Sequence, residues 1–197
     1  MKTGKPNVDW CESNKEETIR SNVIGALNLA DVCHLRKVHL TMLGSGCVYQ
    51  FDNEHPMPNE TQIFKDLNDL ETKINNYEDA NCKGFKESDE QNFFGSFYSK
   101  TKGQMQKMIE ETYPNVLLLR LRMPISSDLN DERSLLSKLL KYEKVVNIPN
   151  SITFVNEMMP LLIQMAKRNL KGVYNFTNPG VISHNQLLSL YKHVNNK

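Results

Sequence analysis

Charge of one sign is what this sequence most lacks. Its 197 residues hold 24 Lys+Arg against 23 Asp+Glu, a formal net charge of +1. So balanced a chain has no electrostatic footprint for nucleic acid or for an anionic membrane surface, and neither is expected as a partner. Long hydrophobic runs are missing too. Val116–Leu119 typifies their length, far short of the roughly 20 apolar residues of a membrane-spanning helix. The opening MKTGKPNVDW has no apolar core of a signal peptide, so a cytoplasmic location is expected. Cysteine is sparse: Cys11, Cys33, Cys47 and Cys82, with no Cys-x-x-Cys pair. That spacing suits no zinc module, so no metal is expected, and free thiols in a reducing compartment are the simplest reading.

What is present is an ordinary globular composition, 39% apolar and 24% charged, in a length that suits one domain with a real core. Residues 14–36 carry Ile19, Val23, Leu27 and Ala30 at helical spacing, with Ser13 or Asn14 placed to cap the start. Residues 38–46, VHLTMLGSG, read as a buried strand running into a loop. A polar stretch with an insertion at about 60–83 follows, long for a loop in a compact domain. A helix from about Tyr98 to Thr112, the strand NVLLLRLRMP, a short helix at 134–141, an extended KVVNIPNS, a helix over 156–169, the strand GVYNFTN and a last helix from Ser183 complete the chain. Helices alternating with strands predict an α/β fold with a parallel sheet. In such sheets ligands sit beyond the C-terminal strand ends. Ser45–Cys47, Arg122–Ser127 and Tyr98 would converge there.

Within GSFYSKTKGQM, Tyr98 and Lys102 stand four residues apart and share a helix face. A cation near a phenol favours the phenolate, which suits a general acid or base. The same spacing also arises on any solvated helix face, so the pair alone does not decide.

The segments GKPNVDWCES, ETIRSNVIGALNLADVC, GSFYSKTK, LRLRMPISSDL, YEKVVNIPNS and NFTNPGVISHNQLL decide more. Together they resemble the plant-type nucleotide-rhamnose synthase/epimerase-reductases. These are extended short-chain dehydrogenases/reductases related to dTDP-4-dehydrorhamnose reductase. The resemblance covers nearly the whole chain outside the insertion. It implies NADPH-dependent 3,5-epimerisation and 4-keto reduction of UDP-4-keto-6-deoxy-D-glucose to UDP-L-rhamnose, with NADH as a second option for the cofactor and a homodimer as the assembly. It implies Ser45, Tyr98 and Lys102 as the reducing set. Tyr98 is the acid and Lys102 its partner on the nicotinamide ribose, with Asn22 behind the lysine. Pro124, Ile125 and Ser126 would line the cofactor, and Arg122 and Ser127 the sugar. Cys47 and Lys138 would be the epimerising acid/base pair. Cys47 lies two residues from Ser45, and on an extended loop the two would share a face. Packing alone also accounts for Cys47, and a solvated helix face for Lys138. His184 reads most simply as the beginning of the last helix.

Against that family, one feature is absent. None of the 9 glycines forms Gly-x-x-Gly-x-x-Gly, the loop whose backbone N–H groups receive a pyrophosphate. The resemblance begins just after the family's fourth strand. The expected fold is therefore the C-terminal part of a Rossmann-like parallel sheet with a small substrate-binding region. Residues 1–122 would hold the partial cofactor-binding region and 123–197 the substrate-binding region. The strand at 38–43 would keep an unpaired edge, and a partner supplying the N-terminal half is expected. The competing reading is a non-catalytic, reductase-like regulatory or scaffold subunit.

Overall fold

The computed structural model describes residues 8–57 and 83–195. The expected insertion falls largely outside them. The described residues group into two compact units. One reaches to Gln50 and adds Lys86–Leu121 and Glu157–Phe176. The other takes in Phe51–Phe85, Arg122–Asn156 and the chain from Thr177.

The first unit is built on a parallel sheet. Strand β1 (Leu40–Ser45) pairs with β2 (Val116–Leu121), and β2 pairs with β5 (Gly172–Asn175), both in parallel. The expected parallel α/β fold is found, with strands shorter than the apolar runs suggested. β2 is central. Val116, Leu117, Leu118 and Leu119 are all buried, each contributing about 1.5–3 kcal/mol by leaving water. One β2 face packs with Ala30, Met105 and Ile109, the other with Met158 and Phe176.

The helix expected over 14–36 is found from Lys15 to Leu35, with a π-helical turn inside it and a separate short turn before it. A turn, α1 (Trp10–Ser13), is followed by α2 (Lys15–Ile19), a π-helical turn over Arg20–Ile24, and α3 (Gly25–Leu35). Asn14, whose backbone is neither helical nor extended, separates α1 from α2. Its side chain does not cap α2. Its amide donates back to Trp10 O at 2.9 Å, while its carbonyl takes Thr18 Oγ1 at 2.8 Å. Asparagine competes for backbone partners in this way, which ends one helix and begins the next.

Helix α4 (Phe97–Thr112) packs on β1 and the π-helical turn. Ser96 caps it, its Oγ accepting from Ser99 N at 3.0 Å. Helix α6 (Val155–Lys167) runs through Pro160, its sixth residue and so past the first turn, without ending there.

In the second unit, β3 (Pro124–Ile125) and β4 (Thr153–Phe154) form a two-stranded parallel pair. The strand signal in NVLLLRLRMP thus spans two strands, split at Arg122 and Met123. Extended KVVNIPNS contributes one antiparallel bridge, Asn150 to Ile182. Helix α5 covers Leu135–Leu139, and α7 covers His184–Asn195. The start of α7 is a reciprocal cap: Gln186 N donates to Ser183 Oγ at 3.3 Å and Ser183 N to Gln186 Oε1 at 2.8 Å.

Candidate active site

Within the first unit, Ser45 ends β1 and is 4% exposed. The chain then turns sharply. Gly46 N donates to Leu121 O at 2.9 Å, and Cys47 N donates to Ser45 Oγ at 3.1 Å. Ser45 and Cys47 are therefore neighbours through a turn and not through the alternation of an extended loop. Val48 is fully buried, and its carbonyl receives the N–H groups of Asn92 and Phe93, which fixes the far side of the turn.

Tyr98, Lys102 and Gln106 sit at i, i+4 and i+8 on α4, along one face. Gln106 is level with the strand end, since its Nε2 donates to Ser45 O at 3.2 Å. At a rise of about 1.5 Å per residue, Lys102 and Tyr98 lie about 6 and 12 Å further toward the helix N-terminus. In a strand–helix–strand crossover that direction leads past the C-terminal end of β1. Tyr98 thus occupies the first turn of α4, where the positive end of the helix dipole favours negative charge. Phe97 N donates to Glu12 Oε1 at 2.6 Å, which ties α1 to this turn. Lys102 is half-buried, and that burial pulls its pKa below the ordinary lysine range; the Cys11 thiol opposes this weakly.

Asn22 lies within the π-helical turn, 5% exposed, and its Nδ2 has no hydrogen-bond partner among the described residues. π-turns recur at functional sites, and a buried donor without an acceptor is costly unless something else fills its need. Among the described residues no three His, Cys, Asp or Glu side chains gather to hold a metal ion. No described helix is long and apolar enough to cross a membrane.

The second unit holds the other expected residues. Arg122 N donates to Thr153 Oγ1 at 3.0 Å and its Nε to Asn150 Oδ1 at 3.0 Å. Met123 has φ +42°, in a region that costs an L residue about 1–2 kcal/mol. Backbone strain of this kind clusters at functional sites. Pro124 is exposed and Ile125 buried. Ser126 N donates to Ser134 Oγ, and Ser127 N to Asn156 Oδ1. Lys138 is in the last turn of α5. Ser45, Cys47, Asn22, Tyr98 and Lys102 thus belong to one unit, and Arg122, Pro124–Ser127 and Lys138 to the other. His184 does begin α7, and burial lowers the pKa of its half-buried ring, with Arg122 adding to the effect and the Val146 carbonyl opposing it.

A concavity of about 590 Å³ lies elsewhere, lined by Cys33, His34, Lys37, Asn115 and Lys171 among others. It sits at the N-terminal strand ends, where α3 and α6 terminate, and its cations complement helix C-termini.

Residues 3–72 match the NAD dependent epimerase/dehydratase family. Over 190 residues the chain is 50% identical to an Arabidopsis thaliana trifunctional UDP-glucose 4,6-dehydratase/UDP-4-keto-6-deoxy-D-glucose 3,5-epimerase/UDP-4-keto-L-rhamnose-reductase, covering 96% of this chain and 25% of that protein. It is 48% identical to the Arabidopsis bifunctional dTDP-4-dehydrorhamnose 3,5-epimerase/dTDP-4-dehydrorhamnose reductase, covering 96% of this chain and 56% of that one. Nearly the whole chain is thus similar in sequence to a part of each of these proteins. The crystal structure of the UDP-rhamnose synthase of Acanthamoeba polyphaga mimivirus superposes with a TM-score of 0.72 at 38% identity, over 89% of this chain and 53% of the other. A dTDP-4-dehydrorhamnose reductase from Bacillus anthracis, solved with NADP, shares the fold at TM-score 0.70 and 16% identity, over 97% of this chain and 59% of that one. The chain thus spans between a quarter and somewhat over half the length of these relatives.

Three residues escaped the sequence reading. Gln106 and Arg120 form a buried pair behind Ser45. An arginine inside an otherwise apolar VLLLRL was the available signal. Glu12, which receives Phe97 N, carried none, because only the fold brings it there.

Proposed function

We propose that this chain carries the reducing and epimerising residues of an NADPH-dependent enzyme that converts UDP-4-keto-6-deoxy-D-glucose to UDP-L-rhamnose. The observation that supports this most is the face of α4 on which Tyr98 and Lys102 follow Gln106 past the end of β1, where Ser45 sits. Bound NADPH supplies hydride to the C4 ketone. Tyr98 donates the proton that the ketone oxygen acquires. Its phenolate is then left at the positive end of α4, one turn from Lys102. Ser45 Oγ hydrogen-bonds the same oxygen as its charge develops. Lys102 fits a ribose hydroxyl as a half-buried cation, and the unpartnered Asn22 Nδ2 fits a hydrogen-bonded chain behind it. Pro124, Ile125 and Ser126 line the cofactor, and Arg122 and Ser127 the sugar. Cys47 and Lys138 move the protons of epimerisation at C3 and C5, the carbons on either side of the ketone.

The chain, supplied with a polypeptide segment carrying the glycine-rich phosphate loop so that it binds cofactor, is incubated with NADPH and UDP-4-keto-6-deoxy-D-glucose, and loss of reduced cofactor and product mass are followed. Tyr98→Phe is expected to slow reduction about 10²–10⁴-fold; a loss under about tenfold removes Tyr98 as the acid. Cys47→Ala is expected to stop solvent deuterium entering the sugar while sparing reduction of an epimerised ketone. Exchange at the wild-type rate makes Cys47 a packing residue.

The open edge of β1 also supports a partner segment. Leu43 is 48% exposed and Val38 56%, and on α3 Val32 and Leu35 are 53% and 70% exposed. A strand laid parallel along this edge, with its own helix over α3, satisfies both the backbone groups and the apolar surface. We assign that role to a polypeptide segment carrying the glycine-rich phosphate loop, and expect NADPH to bind this chain weakly without it. Micromolar affinity by calorimetry contradicts that assignment.

A further inference from the structure

Arg120 is 2% exposed, an arginine inside the apolar centre of the sheet. Its Nε donates to Gln106 Oε1 at 3.2 Å, and its Nη1 donates to Tyr49 Oη at 2.7 Å and to Glu87 O at 3.3 Å. Its nearest carboxylate in this network, Glu110, stands 3.8 Å from Nη2. The guanidinium also lies over the Tyr49 ring, 5.5 Å from its centre. Gln106 is fully buried and passes its other end, Nε2, to Ser45 O. Gly44 leaves room for it: a Cβ there would stand 2.8 Å from Gln106 Oε1 and 2.7 Å from Leu118 Cδ2.

One buried cation therefore grips both ends of the segment Ser45–Tyr49. It reaches Ser45 through Gln106 and Tyr49 directly. The turn between them carries Ser45 Oγ and Cys47. Tyr49 Oη donates onward to Asp89 O at 3.2 Å, and Glu87 Oε1 receives Asn175 N at 2.8 Å, so the grip is anchored on two further segments.

We propose that Gln106, held by Arg120, is a positioning residue that fixes the carbonyl of Ser45 and with it the Ser45–Gly46–Cys47 turn. Gln106 is suited because it is an amide. Its oxygen faces the guanidinium and its N–H₂ faces a carbonyl; a carboxylate satisfies the first and repels the second. The consequence for ketone reduction rests on the reading of Ser45 given above, whereas the consequence for geometry does not.

The test uses amide hydrogen exchange on the full chain, comparing wild type, Gln106→Glu, Gln106→Met and, as control, the exposed Gln104→Glu. Gln106→Glu keeps the Arg120 contact and replaces the donor to Ser45 with an oxygen that repels its carbonyl. It is expected to melt at or above the wild-type temperature, while the Gly46 and Cys47 amides exchange about tenfold faster, the loss of one buried hydrogen bond. Leu119 is expected to exchange as in wild type. The proposal is overturned if Gly46 and Cys47 exchange at the wild-type rate, or if Leu119 speeds up with them. Should Gln106→Glu not fold, Gln106→Met is read by the same criteria, and failure of both to fold makes Gln106 a core residue and ends the proposal. A selective change in exchange, with no ketone reduction even when the phosphate-loop segment is supplied and NADPH binds, leaves the positioning standing and removes the catalytic reading. Where reduction is measurable, Gln106→Glu is expected to lower kcat about tenfold at unchanged KM.

Discussion

β1 and β2 are alike as sequence, six residues each and rich in apolar side chains, and opposite as structure. LTMLGS leaves Leu43 half in water, whereas VLLLRL buries every residue through Arg120. The two pair with each other in register, Leu40 to Val116 through Ser45 to Leu121. The difference is position. β2 has a strand on both sides and helices on both faces; β1 has a strand on one side. Stability is therefore concentrated in β2 and its cores. β1 contributes its C-terminal end, where Ser45 stands, and an edge suited to another strand.

The largest effect expected from breaking this contrast is on folding. Leu118→Ala opens a cavity between β2 and α4 and is expected to cost about 2–5 kcal/mol, read from denaturant midpoints. Leu43→Ala removes a side chain already half-hydrated and is expected to change stability by about 0.5 kcal/mol or less. Equal costs at the two positions would mean that the β1 edge is covered in solution.

Lys102 sharpens the contrast from the functional side. Burial depresses its pKa, so the native state disfavours the charged form. The unfolded chain then binds more protons between the depressed value and the ordinary lysine value, and stability rises with pH across that window. Lys102→Met removes the burial cost and is expected to stabilise the chain at pH 7 by about 1 kcal/mol, while NADPH binding weakens. A lower melting temperature in Lys102→Met would show that the ammonium has partners that repay its burial.

The smallest effect concerns His184, in the second unit. Its pKa is lowered from the usual histidine value by burial and by Arg122. The unfolded histidine takes up its proton first as pH falls, so this contribution to stability is full above the unfolded pKa and is lost as pH drops through the folded one. His184→Gln is expected to flatten the melting temperature modestly between pH 7 and 5. An unchanged slope excludes His184 as a source of acid sensitivity.

The order of helices and strands was legible in the sequence because apolar spacing repeats at 3.6 and 2 residues wherever a face is buried. Tyr98 and Lys102 were legible because a helix turns their spacing into a shared face. The short turn before Asn14 and the π-turn around Asn22 were not, because both leave the apolar period almost unchanged. The turn that makes Ser45 and Cys47 neighbours was read as extended chain, since the bond from Cys47 N to Ser45 Oγ has no sequence period.

The sequence by itself determined the α/β class, the parallel order and the chemistry available, since these follow from local periodicity and from which side chains exist. Tertiary structure alone decided that Arg120, four places along an apolar strand, is satisfied by Gln106 and Tyr49, and that Gln106 in turn holds Ser45. Those partners lie 14, 71 and 61 residues apart. A buried cation takes whatever donors and acceptors the packed sheet brings to it, and no local pattern records which they are.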